Sequence, residues 1–246
     1  MNDKEGLVDL LIHDLVGPLS VASTSVTNLL YKAERYGPLS DQQRRALERA
    51  LRNVQKSQNL VQEIVEISRS KEGLFQKGLF SMKEVVKEAL LDALETTFPH
   101  EAEKLCSSPN AEEFEQILES HGIFTEITGK YCQSPFCHDQ RKICQILRNL
   151  MSNALKYRHR RMSVFVSGDI DLVVSVENDG FGIPKEELEA VFKKFYRVRD
   201  GRRPEIAGLG LGLTGVKTMV QAMGGEITLE SHEEVGTRFT VRIPPL

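Results

Sequence analysis

The sequence predicts an α+β chain, a long helical hairpin followed by an α/β sandwich. Three observations carry this. Apolar residues over the first seventy positions recur at helical spacing, the pattern shifts between Ser70 and Gly78, and short apolar strands alternate with helices from there on. Gly73 and Gly78 bracket the shift, so domains of 1–72 and 73–246 are expected.

In the first helix Val8, Ile12, Leu15, Leu19, Ala22, Val26 and Leu29 step by alternating fours and threes, the seam of a helix nearly parallel to its neighbours. Gly37-Pro38 in "YGPLS" ends it, and Ser40 or Asp41 can cap the next. From Asp41 to about Ser70, Leu47, Leu51, Val54, Val61 and Val65 repeat the spacing, with Leu60, Ile64 and Ile67 widening the stripe. Each helix covers only one side of the other's stripe, so one hairpin cannot enclose a core. Two can, as a four-helix bundle, and a homodimer built by residues 1–70 is expected. With Ile12 and Leu15 pointing inward, His13 lies about 100° round from Ile12 and faces outward. In "LLIHDLVGPLS", Pro18 lacks the N–H that would reach the Asp14 carbonyl, a defect of about 3 kcal/mol that something must offset or use.

The second domain begins with a strand at "KGLFS", a helix from Met82 to about Thr97, an acidic segment from Phe98 to Asn110 read as a solvated loop, and a helix near Ala111 to His121. In "DQRKICQILRNLMSNALKYRHR", Ile143, Ile146, Leu147, Leu150 and Leu155 mark an amphipathic helix, while Asn149 and Asn153 stand one turn apart on another face, followed by Lys156 and Tyr157. Amide oxygens suit a hard cation and an ammonium suits phosphate, so together they offer a metal-triphosphate surface. "DLVVSVENDGFGIP" is a buried strand ending in Asn178, Asp179, Gly180 and Gly182. Glycines at alternate positions let a ligand approach the backbone, and Asn178 can hydrogen-bond a base. Phe192 and Phe195 in "VFKKFYR" are expected to end a helix and seat the loop after it. That loop is basic and glycine-rich, a candidate cationic lid, and enters an apolar helix at about Leu211. Gly208, Gly210 and Gly212 at a helix N-terminus would offer free amide hydrogens and a positive dipole end to phosphate. Strands at "GGEITLES" and "GTRFTVRIP" close the sheet and bring Thr237 beside the base pocket.

Composition narrows the function classes. The 246 residues are 40% hydrophobic and 27% charged with a formal net charge of −3, so nothing favours broad contact with nucleic acid or an anionic membrane. No apolar run approaches the roughly 20 residues that span a bilayer, and the N-terminus has no signal-peptide pattern, so a cytoplasmic chain without a membrane segment is expected. Four cysteines are too few for a disulfide scaffold, and the spacing of Cys132, Cys137, His138 and Cys144 matches no common zinc pattern.

In this order the segments resemble a two-component sensor histidine kinase: "HDLVGPLS" the phosphoacceptor box, "NLMSNALKY" the N box, "NDGFG" and "GLGLGL" the glycine boxes, "VFKKFY" the F box, and "GTRFTV" near the end. The resemblance implies a dimerisation and phosphotransfer bundle followed by a Bergerat-type ATP-binding sandwich, as in gyrase and Hsp90. It implies that His13 attacks the γ-phosphate of ATP, with Asp14 accepting or orienting the imidazole proton, before transfer to an aspartate of a response-regulator receiver domain. Asn153 matches the Mg2+ ligand, Asn149 its partner, and Lys156 and Tyr157 the phosphate and nucleoside contacts. Pro18 matches the motif's proline, whose bend would loosen the helix beside His13.

Two positions depart from the pattern. Asn178 stands where most members carry an aspartate facing the adenine amino group; it keeps an acceptor oxygen. Gly17 stands where members with phosphatase activity carry a side chain that orients water, so weak phosphatase activity is expected. The main alternative is a degenerate kinase acting as a dimeric phosphotransfer or docking scaffold. An ATPase of the gyrase type would need an acid where Asn149 stands, and a serine or threonine kinase leaves the His13 bundle unexplained.

Overall fold

The computed structural model describes residues 3–70, 75–98, 102–103, 105, 110–198 and 210–246. The side chains of His13 and Asp14 and the whole of Gly208 lie outside the described residues. The chain forms two compact units, Met1–Arg69 and Ser70–Leu246.

The first unit is α-helical: α1 (Asp3–Tyr31), a short α2 (Ala33–Tyr36) and α3 (Asp41–Ser70). Helix α1 runs unbroken through Pro18. Gly37 takes φ +84 and turns the chain. A reciprocal cap then opens α3: Ser40 Oγ accepts the Gln43 N–H at 3.3 Å while Gln43 Oε1 accepts the Ser40 N–H at 2.9 Å. Gln58 Nε2 donates to Ser20 Oγ at 3.4 Å, linking α3 to α1. The seam residues Leu19, Ala22, Val26, Leu47, Leu51 and Val54 are each only half-buried.

The second unit holds β1 (Gly78–Phe80), α4 (Met82–Thr97), α5 (Ala111–Ser120), β2 (Ile123–Ile127), β3 (Phe136–His138), α6 (Gln140–Tyr157), β4 (Met162–Ser167), β5 (Leu172–Asn178), α7 (Gly212–Ala222), β6 (Glu226–His232) and β7 (Gly236–Ile243). Strands β1 and β3 pair antiparallel, and the main sheet has the order β2-β4-β5-β7-β6, with only β2 and β4 parallel. Helix α6 packs on α4, α7 and β5.

Side chains alternate across a strand, so register assigns the two faces. One face carries the row Val164, Val176, Phe239, Leu229 and the row Val166, Val174, Val241, Ile227, which pack into the core. The other carries Glu177, Arg238 and Glu230 side by side, with Arg238 donating to Glu177 Oε2 at 2.6 Å. The core centres on Phe136, Met82, Leu147, Leu150 and Met151, all with side chains closed to solvent.

Two sequence expectations are corrected. Residues 185–192 form two short 3-10 turns, Lys185–Glu187 and Ala190–Phe192, in place of a regular helix. The Phe192 carbonyl, which a continuing helix would use, instead accepts the Thr214 hydroxyl at 2.9 Å. The acidic segment is not wholly solvated: Ala102 and Leu105 are buried and the Ala102 N–H donates to Phe98 O at 3.1 Å. Phe98, Ala102 and Leu105 stand at i, i+4 and i+7, a helical stripe among acids.

Candidate functional site

The next row of the core-facing side of the sheet is Met162, Asn178, Thr237 and Ser231. The alternation that places valines in the core thus ends, at one edge of the apolar face, on three polar residues. The Asn178 side chain is half-buried and forms no hydrogen bond to another described residue.

Proton bookkeeping settles what Thr237 offers. Ser231 Oγ accepts the Ile183 N–H at 2.8 Å and donates its one hydrogen to Gly236 O at 2.9 Å. At the 2.7 Å contact between the two hydroxyls, Thr237 must therefore be the donor. Its oxygen is left with lone pairs only.

Glycines 180 and 182 answer to the chain's own packing. A Cβ on Gly180 would overlap the Tyr157 carbonyl oxygen and stand 2.7 Å from Asn178 Nδ2. Gly182, at φ +72, lies against the His232 carbonyl in the same way. The turn therefore closes between the end of α6 and the end of β6, and the glycines permit that crossing.

Asp179, between Asn178 and Gly180, turns away from the polar row. Its carboxylate accepts the N–H groups of His159 at 3.0 Å, Arg160 at 3.0 Å and Arg161 at 2.9 Å. Burial alone would raise its pKa, but the backbone N–H groups of Arg161, Arg160 and His159 outweigh that and hold it below the usual carboxylate value. The His159 ring meets the Phe181 ring edge-on at 4.3 Å across the same junction.

Asn149 and Asn153 lie half-buried on α6, beside its buried stripe, and neither amide is hydrogen-bonded to another described residue. Asn149 Oδ1 comes within 3.9 Å of where a Cβ on Gly212 would stand, so the first residue of α7 faces the first of the two amides. Lys156 is half-buried and Tyr157 is 37% exposed. Gly210 accepts the Phe195 N–H at 3.0 Å, which pins the two ends of the segment between them. Phe192 packs edge-on against Phe239 at 6.3 Å, with the Lys217 ammonium over its ring. Phe195 is 63% exposed at φ +62.

The unit thus brings together Asn149, Asn153 and Gly212 on one side, and Asn178, Thr237, Gly180 and Gly182 on the other. Sequence reasoning missed Ser231 and the bonding of Asp179. No local pattern marks a serine that sits opposite Thr237 only through strand register.

Cys144 and His138 lie in the core, away from these groups. Burial pushes the Cys144 thiol up to about 12. His138 Nδ1 accepts the Asp139 N–H at 2.8 Å, and burial lowers its pKa.

Comparison with known proteins agrees with this arrangement. Residues 138–246 match the family described as histidine kinase-, DNA gyrase B- and HSP90-like ATPase. The sensor histidine kinase WalK of Bacillus subtilis is 46% identical over 111 residues, which are 43% of this chain and 18% of that protein. The autoinducer 2 sensor kinase/phosphatase LuxQ of Vibrio cholerae is 29% identical over 240 residues, 94% of this chain and 25% of that protein. The chain therefore spans about a fifth to a quarter of the length of these relatives. Full-length ShkA, crystallised with AMPPNP, superposes with a TM-score of 0.69 at 18% identity, over 98% of this chain and 46% of that one; at that identity the likeness carries the fold. Among the described residues no helix is long and apolar enough to cross a membrane. Residues 138–246 thus carry the match to the ATPase family, and the relatives the chain is similar to are sensor histidine kinases.

Proposed function

We propose that this chain binds ATP in its second unit, phosphorylates His13, and passes the phosphoryl group to an aspartate of a response-regulator receiver domain. The observation that carries the reading is the pair of amides Asn149 and Asn153, one turn apart and hydrogen-bonded to no other described residue, with Asn149 facing the first residue of α7. Neutral oxygens without a partner among the described residues fit a hard cation, so Asn153, with Asn149 beside it, would hold Mg2+. Bound there, the cation would neutralise charge on the triphosphate. Lys156 would add an ammonium, Tyr157 a nucleoside contact, and Gly208, Gly210 and Gly212 backbone N–H groups at the start of α7.

The transfer balances simply. An imidazole nitrogen of His13 forms a bond to the γ-phosphorus as the bridging P–O bond breaks and ADP leaves, and the displaced ring proton is taken up by Asp14. An aspartate oxygen of the receiver then displaces the imidazole, which regains a proton. Residues 1–72 serve as the dimerisation and phosphotransfer domain and residues 73–246 as the catalytic domain, in the cytoplasm where ATP is available. The half-buried seams of α1 and α3 are covered by a second copy, giving a homodimer through residues 1–70.

The test is incubation with γ-labelled ATP and Mg2+. Acid-labile, base-stable label is expected on the wild type and absent from His13→Gln and Asn153→Ala. Label persisting on His13→Gln would remove His13 from the reaction; nucleotide bound without any label would favour the scaffold.

A further inference from the structure

Two groups at the polar row, Asp179 and Ser231, are committed to the chain's own N–H and hydroxyl groups, and both hold residues that keep capacity for a ligand. Asp179 spends its carboxylate on three successive N–H groups at the end of α6. Ser231, 6% exposed, spends its hydroxyl on Ile183, Gly236 and Thr237. Between these anchors run residues 179–183. The Phe181 carbonyl accepts the Glu234 N–H at 3.1 Å, and both glycines lie under neighbouring carbonyls. The turn is therefore fastened at Asp179, Phe181 and Ile183, to three different segments.

From this we infer that Asp179 and Ser231 are positioning residues that preorganise the base-facing end of the nucleotide site, one from each side of the glycine turn. The inference rests on the reading of Asn178 and Thr237 as nucleotide contacts. Asp179 ties the backbone that follows Asn178 to the turn after Tyr157, and so fixes the strand-end amide relative to the helix bearing Asn153 and Lys156. Ser231 consumes the Thr237 proton, so Thr237 meets the base as an acceptor in one orientation. A site held in its binding geometry before the ligand arrives does not spend affinity on ordering itself.

The experiment is calorimetric titration of the full chain with ADP and Mg2+, beside ATP-dependent labelling kinetics. Asp179→Asn keeps the shape but removes the charge that the three N–H groups point at and sets an N–H donor against that of Arg160, where Oδ2 accepts at 3.1 Å. It is expected to raise the ADP Kd about tenfold with stoichiometry retained, and to raise KM for ATP in step while kcat holds, the signature of binding lost equally in ground and transition states. Ser231→Ala gives the same split and serves if Asp179→Asn does not fold. Tyr131→Phe, which removes a hydroxyl bond to the Ile170 carbonyl elsewhere in the unit, should lower Tm and leave Kd alone. Variants at 179 and 231 that behave like Tyr131→Phe, with Kd and KM within about twofold of wild type, would overturn the positioning roles. A wild type that binds no ADP overturns the nucleotide reading itself, and this inference with it.

Discussion

The two units solve the burial problem differently. In the second, a sheet face and helices α4 to α7 close on one another, and Phe136, Leu150 and Met151 lose all contact with water. In the first, Leu30 is the one buried apolar side chain among the described residues, while Leu15 is 46% and Val21 67% exposed. The second unit has its opposing layer within the chain. Among the described residues the seam of the helical unit is at most half-buried, which is why its stability should depend on a second copy and that of the ATPase module should not.

The strongest way to break this contrast is Phe136→Ala. Phe136 meets Phe80 at 5.9 Å, Tyr131 at 5.1 Å and His138 at 6.0 Å between ring centroids, and truncation should cost about 3–5 kcal/mol. In a thermal melt the module should unfold earlier while the helical unit's transition stays put. One shared transition would show that the units are not independent.

A charge in the seam sharpens the other side. Val54→Asp places a carboxylate where two hairpins would meet, and sedimentation should show a dimer becoming a monomer, with K shifted at least about tenfold. The melting of the ATPase module should not move. A wild type that is already monomeric at micromolar concentration would end the dimer reading.

The smallest effect is local. Ser40→Ala removes half of the reciprocal cap on α3 and should cost about 1 kcal/mol. It should lower the helical unit's transition alone and leave ADP affinity unchanged.

Much of the architecture was legible in the chain. Met82–Thr97 follows from helical apolar spacing and Leu172–Asn178 from a strand-like apolar run, while the cap of α3 was legible as Ser40 or Asp41, of which Ser40 takes it. Asn149 and Asn153 were visible as amides one turn apart beside the apolar stripe of an amphipathic helix. The 3-10 turns at 185–192 were not, because "KEELEAVF" has a helical pattern and only Thr214, 22 residues away, takes the Phe192 carbonyl. Ala102 and Leu105 were hidden by the acids around them, though their spacing from Phe98 carried the signal.

What the sequence determined by itself is periodicity, and with it which segments are helix or strand and which faces are apolar, because residues within a turn or a pleat of each other impose it. What only the tertiary structure decided is the use of single polar groups. Gly180 and Gly182 make room for carbonyls of other segments, Asp179 gathers N–H groups 18 to 20 residues upstream, and Ser231 reaches Ile183 across 48 positions. Such contacts arise from strand register and chain crossing, and a one-residue slip in β6 would turn Ser231 to the opposite face.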